Sequence, residues 1–360
     1  DFTEDSALFI YLHSATNYND SMTNVLIIYT GGTIGMINDP QTGVLVPFQF
    51  EQIKDHVPEL KRLKYQFKVH SFDPLIDSSN MSPEIYKQIA LLIQKEYDHY
   101  DGFVVLHGSD TMAFTASALS FMIENLSKPV IFTGSQLPVN GIRTDAKENL
   151  ITALEIAAEK RKGKAMVPEV CIYFDYKLFR GNRSFKYNSE KFEAFRSPNY
   201  PILAEAGVYL KFSRNAILKP SGEPVKFHTR LDSAIGILKL YPGISPEIVR
   251  AVLFSDCKAI IMETFGSGNT STECWFLELL REAIDAGKLI LNISQCKVGT
   301  VELGRYETSR ALMDMGVING YDMTFEAAVT KLMYLLGNVK SNKKIAEYLA
   351  TDLRGELTVY

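Results

Sequence analysis

From Val25 onward, short apolar runs rich in β-branched residues alternate with longer stretches whose apolar residues recur at helical spacing, and this alternation sets the fold class. Residues 25–28, 65–72, 103–106, 129–133 and 170–174 read as strands, and 83–97, 113–125 and 146–160 read as helices between them. Strands separated by helices imply βαβ units and a parallel sheet, because a parallel neighbour is reached only by a long crossover. Near residues 213–233 the periodicity stops, and Lys219-Pro220-Ser221-Gly222-Glu223-Pro224 is loop chemistry. The alternation then resumes: 234–240, 259–262 and 289–293 as strands, and 246–255, 273–286, 324–336 and 343–350 as helices. A 360-residue chain also exceeds the roughly 250–300 residues at which a single core stops growing. The expectation is therefore a two-domain α/β protein. A larger N-terminal domain (22–212) carries a mixed or parallel sheet with flanking helices, a linker follows at 213–233, and a smaller parallel-sheet domain occupies 234–360.

Residues 1–21 read as an extension outside the fold, with Met22 a plausible natural start. Their apolar stretch follows acidic residues rather than a basic segment, which argues against a signal peptide. No apolar run approaches the ~20 residues that cross a bilayer, so no membrane association is expected. The formal net charge of −4, with both signs interspersed, gives no broad basic face, which argues against a nucleic-acid partner. Cys171, Cys257, Cys274 and Cys296 are far apart and lack zinc-type spacing, so they read as reduced thiols of a cytoplasmic protein, with no metal site and no cofactor motif.

Two of the strands run straight into hydroxyl-rich turns. The first is followed by Tyr29-Thr30-Gly31-Gly32-Thr33-Ile34-Gly35 and the third by His107-Gly108-Ser109-Asp110-Thr111. In open α/β sheets ligands bind just beyond the carboxyl ends of the strands, so both turns stand where chemistry is done. Gly31 and Gly32 let a ligand approach the main chain and leave Thr33 presented at the strand end. The glycine spacing fits neither a dinucleotide fingerprint nor a phosphate-binding loop with its Lys. On these residues alone, the first turn is a structural turn or a ligand-holding hydroxyl. In the second turn, Ser109 and Asp110 are a helix N-cap, a polar site, or both. His107 reads as a structural histidine. No Gly-x-Ser-x-Gly elbow is present, so a hydroxyl nucleophile here needs a base other than the histidine of a triad, and a buried Lys can serve.

Taken together, Tyr29-Thr30-Gly31-Gly32-Thr33-Ile34-Gly35-Met36 and His107-Gly108-Ser109-Asp110-Thr111-Met112 resemble the two signature motifs of the bacterial-type L-asparaginases. Asp77-Ser78-Ser79-Asn80-Met81, Thr133-Gly134-Ser135-Gln136, Arg180-Gly181-Asn182-Arg183, Tyr241-Pro242-Gly243 and Leu353-Arg354-Gly355-Glu356-Leu357-Thr358 are similar to the cytoplasmic type I branch. The resemblance spans about residues 24–359. It implies hydrolysis of L-asparagine to L-aspartate and ammonia without a cofactor. It places the nucleophile on Thr33, the second constellation on Ser109, Asp110 and Lys186, and the substrate contacts on Ser78, Ser79, Asp110, Gly32 and Gly108. A family loop offered to a neighbouring subunit falls on Asn269, and a homodimer or a tetramer built from dimers is implied.

Two departures stand out. Ser109 replaces the usual Thr, which removes the methyl group that restricts the rotamer. The lid Tyr of the secreted enzymes is missing from Gly43-Val44-Leu45-Val46-Pro47, and Tyr306 is proposed in its place. The Asp110 carboxylate and burial pull Lys186 in opposite directions, so Lys186 acts as a base only if burial wins. Two other functions share these residues: the asparaginase-like subunit of a tRNA-dependent amidotransferase, and a non-catalytic amino-acid sensor.

Overall fold

The computed structural model describes residues 22–359 apart from 40, 49, 51, 52 and 306, so the expected extension at 1–21 lies outside the described residues. The larger sheet has eight strands: β1 (Asn24–Tyr29), β2 (Gln66–Ser71), β3 (Gly102–Leu106), β4 (Val130–Thr133), β5 (Val170–Phe174), β6 (Lys177–Arg180), β7 (Ala204–Ala206) and β8 (Leu210–Phe212). They lie side by side in the order β8-β7-β6-β5-β4-β3-β1-β2. The pairings from β2 across to β5 are parallel and those from β5 to β8 antiparallel, which makes the sheet mixed.

Helices α1 (Pro83–Glu96), α2 (Met112–Met122) and α3 (Ala146–Ala158) cover the two faces of this sheet. Side chains alternate across a strand. Val25, Ile27 and Tyr29 of β1 therefore join the core under α3, while Leu26 and Ile28 join the core under α1 and α2. Burial on both faces is why β1 and β3 read as unbroken apolar runs.

Strands β6, β7 and β8 of this sheet were not expected from the sequence. Asp175 and Tyr176 form a tight two-residue connection between β5 and β6 with φ of 48° and 64°. Aspartate is common at the first of those positions, but the second usually takes glycine, and Tyr176 stands there without signalling a hairpin. The helix expected at 113–125 stops at Met122 instead, because Ile123–Glu124 pairs with Lys226–Phe227. That partner lies within the stretch expected to be the linker. Ala216 and Ile217, at its start, are still packed in the core of the larger domain.

The smaller sheet contains β9 (Ile235–Lys239), β10 (Ala259–Thr264), β11 (Leu289–Ser294) and β12 (Ile318–Asn319), in sequential order and all parallel. One face is covered by α4 (Pro246–Leu253), α5 (Cys274–Asp285) and α6 (Glu307–Met315), and the other by α7 (Phe325–Asn338) and α8 (Asn342–Leu349). Helix α6 and strand β12 were also not expected. Helix α7 packs against α2 of the larger domain, with Phe114 edge-on to Phe325 at 6.0 Å and Phe121 stacked on Tyr334 at 6.1 Å between ring centroids.

The C-terminal tail locks the two domains together. Arg180 Nη1 and Arg183 Nε donate to the Gly355 carbonyl at 3.2 and 2.6 Å, Asn182 Nδ2 donates to the Arg354 carbonyl, and Arg183 also pairs with Asp322 at 2.8 Å. Behind the tail, the fully buried Lys331 contacts the equally buried Glu356 at 2.5 Å and donates to the carbonyls of Leu349 and Thr351. Two of the motifs that carried the family resemblance are therefore the two halves of one clasp, and Lys186 follows this clasp by three residues.

Removing one partner of a buried ion pair leaves an uncompensated charge, at a cost of about 3–5 kcal/mol. Lys331→Met is expected to lower unfolding free energy by about that much, with Lys331→Met/Glu356→Gln recovering part of the loss in urea titrations. Equal loss in the single and double variants would contradict an electrostatic origin.

Candidate active site

The order β2-β1-β3 places β1 where the sheet reverses direction: the chain leaves β1 to one side for β2 and returns on the other side as β3. Loops diverge at such a switch point and open a crevice beyond the strand ends. Thr33 follows β1, Ser78 follows β2, and Ser109 and Asp110 follow β3. Gly134 to Gln136 follow β4, the next strand across. Four consecutive strand ends thus feed one place.

The turns touch through their main chains. Gly32 has φ of +93°, and a Cβ built on it stands 2.7 Å from the Gly108 nitrogen. A side chain there is excluded by both backbone angle and space. A Cβ on Gly108 stands 2.6 Å from Ser78 Oγ. The two glycines therefore bring Thr33, Ser78 and Ser109 close together. Hydrogen bonds fix the arrangement: Thr30 N and Oγ1 donate to the Leu106 carbonyl at 3.0 and 2.9 Å, Ile76 N to the Thr30 carbonyl at 2.8 Å, and Thr111 Oγ1 to the Ser78 carbonyl at 2.6 Å.

Lys186 enters this crevice from the short hairpin Phe185–Lys186 and Phe195–Arg196. Its Nζ donates to Ser109 Oγ at 2.8 Å and to Asp110 Oδ1 at 2.6 Å. The lysine side chain is largely buried, whereas the Asp110 side chain is 68% exposed, which leaves that carboxylate open to a ligand as well. Ser109 Oγ also donates to Gln136 Oε1 at 3.4 Å. A hydroxyl and a carboxylate that share one amine can pass a proton and hold a charged substrate.

The N-cap reading of Ser109 and Asp110 is corrected here. Thr111 is the N-cap of α2, and no side chain caps that end. Ser109 and Asp110 point to Lys186 instead, where a charge-assisted contact outweighs a neutral cap. Ser79 is exposed, and its amide and hydroxyl both donate to Asp77 Oδ1 at 2.9 and 2.8 Å, closing a single helical turn. Asn269 lies in the smaller domain, on a tight loop after β10 that bridges back to Phe265. Tyr306 lies outside the described residues.

Sequence reasoning missed the supporting roles of Thr111, Gln136 and Asp145. The Asp145 carboxylate accepts the main-chain N–H of Gln136 and Leu137, which holds the β4 turn against the site. The strand-end argument used for β1 and β3, applied to β4, points to Gln136. No comparable signal marks Asp145, whose contacts depend on how the loop at 137–145 folds back.

His107 is buried beneath the site. Its Nδ1 lies 2.7 Å from the Gly108 carbonyl and its Nε2 lies 2.9 Å from Thr115 Oγ1, so a neutral ring donates to the carbonyl and accepts from the hydroxyl. Burial pushes its pKa down to about 4, against a smaller upward pull from the Gly108 carbonyl. An imidazole with both nitrogens engaged and its charged form disfavoured is a structural support for the second turn.

Fold and site together define a two-domain α/β protein with a hydroxyl, lysine and carboxylate centre at the switch point of its larger sheet. The family model for the N-terminal asparaginase domain matches residues 24–218, and the model for the glutaminase/asparaginase C-terminal domain matches residues 234–349. The chain belongs to the asparaginase family. It is 44% identical to L-asparaginase 1 of Escherichia coli K12, covering 93% of this chain and 98% of that one. It is 41% identical to the mouse 60 kDa lysophospholipase, covering 93% of this chain and 62% of that one. The crystal structure of L-asparaginase I from Vibrio cholerae superposes with a TM-score of 0.86 at 44% identity, covering 94% of this chain and all of that one.

The depressed His107 pKa has a consequence for stability. An unfolded histidine titrates near 6.5, so between pH 6.5 and 4 the unfolded chain binds a proton that the folded chain refuses, and stability falls as pH drops. From pH 7 to pH 5 the stability advantage of the native chain over His107→Gln in urea titrations is expected to shrink by about 2 kcal/mol. A pH-independent difference would contradict the neutral buried imidazole.

Proposed function

We propose that the chain hydrolyses L-asparagine to L-aspartate and ammonia in the cytoplasm, with Thr33 as nucleophile. The observation that carries this reading is the contact of Lys186 with both Ser109 and Asp110 beside the Gly32 and Gly108 backbones. Family membership and 44% identity to an L-asparaginase over nearly its whole length support the substrate.

Thr33 Oγ attacks the side-chain amide carbon. Backbone N–H groups of the two turns receive the oxyanion, each worth about 3–4 kcal/mol in other hydrolases. The proton that Thr33 gives up reaches the amide nitrogen through Ser109 and Lys186, ammonia leaves, and water then cleaves the aspartyl ester along the same route, returning a proton to Thr33. Ser78 holds the substrate α-carboxylate, Asp110 pairs with its α-ammonium and orients Lys186, and Ser79, Gly32 and Gly108 complete the substrate-binding site. Tyr306 is assigned the part of the missing lid Tyr. Asn269 is offered to the site of a neighbouring subunit, in a homodimer or a tetramer of two dimers. The chain passes from one domain to the other through the stretch at 213–233.

The purified chain is expected to release ammonia from L-asparagine without any partner protein. Lys186→Met should lower kcat by at least about 100-fold while leaving the unfolding midpoint close to that of the parent. Asparagine binding without ammonia release would favour a sensor, and release only with an added partner would favour the amidotransferase subunit.

A further inference from the structure

We propose that Gln136 is a positioning residue that fixes the Ser109 hydroxyl, taking the place of the methyl group that a threonine would carry. The inference rests on the reading of Ser109 as part of the proton route.

A serine hydroxyl has three staggered positions available, and a β-branched threonine is far more restricted. A proton relay through Ser109 needs one of them, because the oxygen must stay within reach of Lys186. Gln136 supplies the restriction from outside the residue. Ser109 Oγ accepts from Lys186 Nζ at 2.8 Å and donates to Gln136 Oε1 at 3.4 Å. With one partner on each side, the hydroxyl has a defined direction as well as a defined place.

The glutamine is itself held at two points. Its Nε2 donates to the Lys191 carbonyl at 3.1 Å, so its oxygen is the end turned to Ser109. Its main-chain N–H donates to both carboxylate oxygens of Asp145, at 3.2 and 3.0 Å. Asp145 in turn accepts from Leu137 N at 3.1 Å and Asn149 Nδ2 at 3.3 Å. Asn149 Nδ2 also donates to the Gly134 carbonyl at 2.9 Å. An acceptor anchored to this extent loses little entropy when it accepts the Ser109 hydrogen bond.

The Ser109 to Gln136 bond is long, and that suits the role. A weak bond selects the resting direction of the hydroxyl, yet it breaks at small cost when the Ser109 hydroxyl turns to pass its proton on and takes one from Lys186 in exchange. The side chain is only half-buried, so it is replaceable without opening the core.

Gln136→Met keeps the length of the side chain and removes the acceptor. Kinetics on asparagine are expected to show kcat reduced roughly three- to tenfold, with KM within twofold and the thermal midpoint nearly unchanged. In a Ser109→Thr background, where the methyl group restricts the hydroxyl, the same substitution should change kcat by less than about twofold. Equal losses in the two backgrounds, or no loss in either, would overturn the proposal. Should Ser109→Thr prove inactive, crystal structures decide: Ser109 spread over several rotamers in Gln136→Met supports the proposal, and a single unchanged rotamer overturns it. Ser109→Ala separates this result from the underlying reading. Loss of activity in Ser109→Ala with full activity in Gln136→Met defeats only the positioning role, while full activity in Ser109→Ala defeats the relay itself.

Discussion

The close approach of the Gly32 and Gly108 backbones is the constraint on which the site depends. Each belongs to a turn at the end of a buried parallel strand, and the space between them admits no Cβ on Gly32. Strand register fixes the two turns relative to one another, because β1 and β3 pair directly from Val25 opposite Gly102 to Tyr29 opposite Leu106. Thr33 and Ser109 are each the residue after a contacting glycine, so sheet geometry is transmitted to two hydroxyls without an intervening flexible segment. Polar groups held in this way by a rigid scaffold need no reorganisation during reaction, which is the condition for electrostatic stabilisation of a developing charge.

The third hydroxyl-bearing loop and the lysine are held by longer-range devices. Ser78 is placed by the Thr111 side chain and by the Gly108 backbone packed against it. Lys186 is placed by the clasp between Arg180 to Arg183 and the tail around Gly355, which also joins the larger domain to the helices of the smaller one. The smaller domain thus influences the site through the buried Arg183, whose partners Gly355 and Asp322 lie near the C-terminus, and through Arg180, which ties the same Gly355 carbonyl to Glu169 and Ala216 of the larger domain.

Much of this was legible in the sequence, for physical reasons. Strands β1, β3, β4 and β5 are buried on both faces, so their unbroken apolar runs could be read directly. The hairpin strands β6 to β8 could not, since β6 is four residues flanked by charges and its turn uses Asp175 and Tyr176 rather than glycine. The site shows the same division. Thr33, Ser109 and Asp110 stand at strand ends, where position alone implies exposure to a ligand. Lys186 and Ser78 came from family resemblance, because their proximity to Ser109 is created by tertiary contacts. The N-cap reading of Ser109 and Asp110 failed because a lysine 76 residues beyond Asp110 supplied a stronger partner than the helix end.

Thr33 is the proposed nucleophile, with Ser109 in the proton relay. Rapid quenching of the chain during turnover of labelled asparagine, followed by peptide mapping, tests this directly. A labelled aspartyl ester on the peptide containing Thr33 is the predicted result. Label on Ser109 instead, or an active enzyme that never carries label on Thr33, would contradict it.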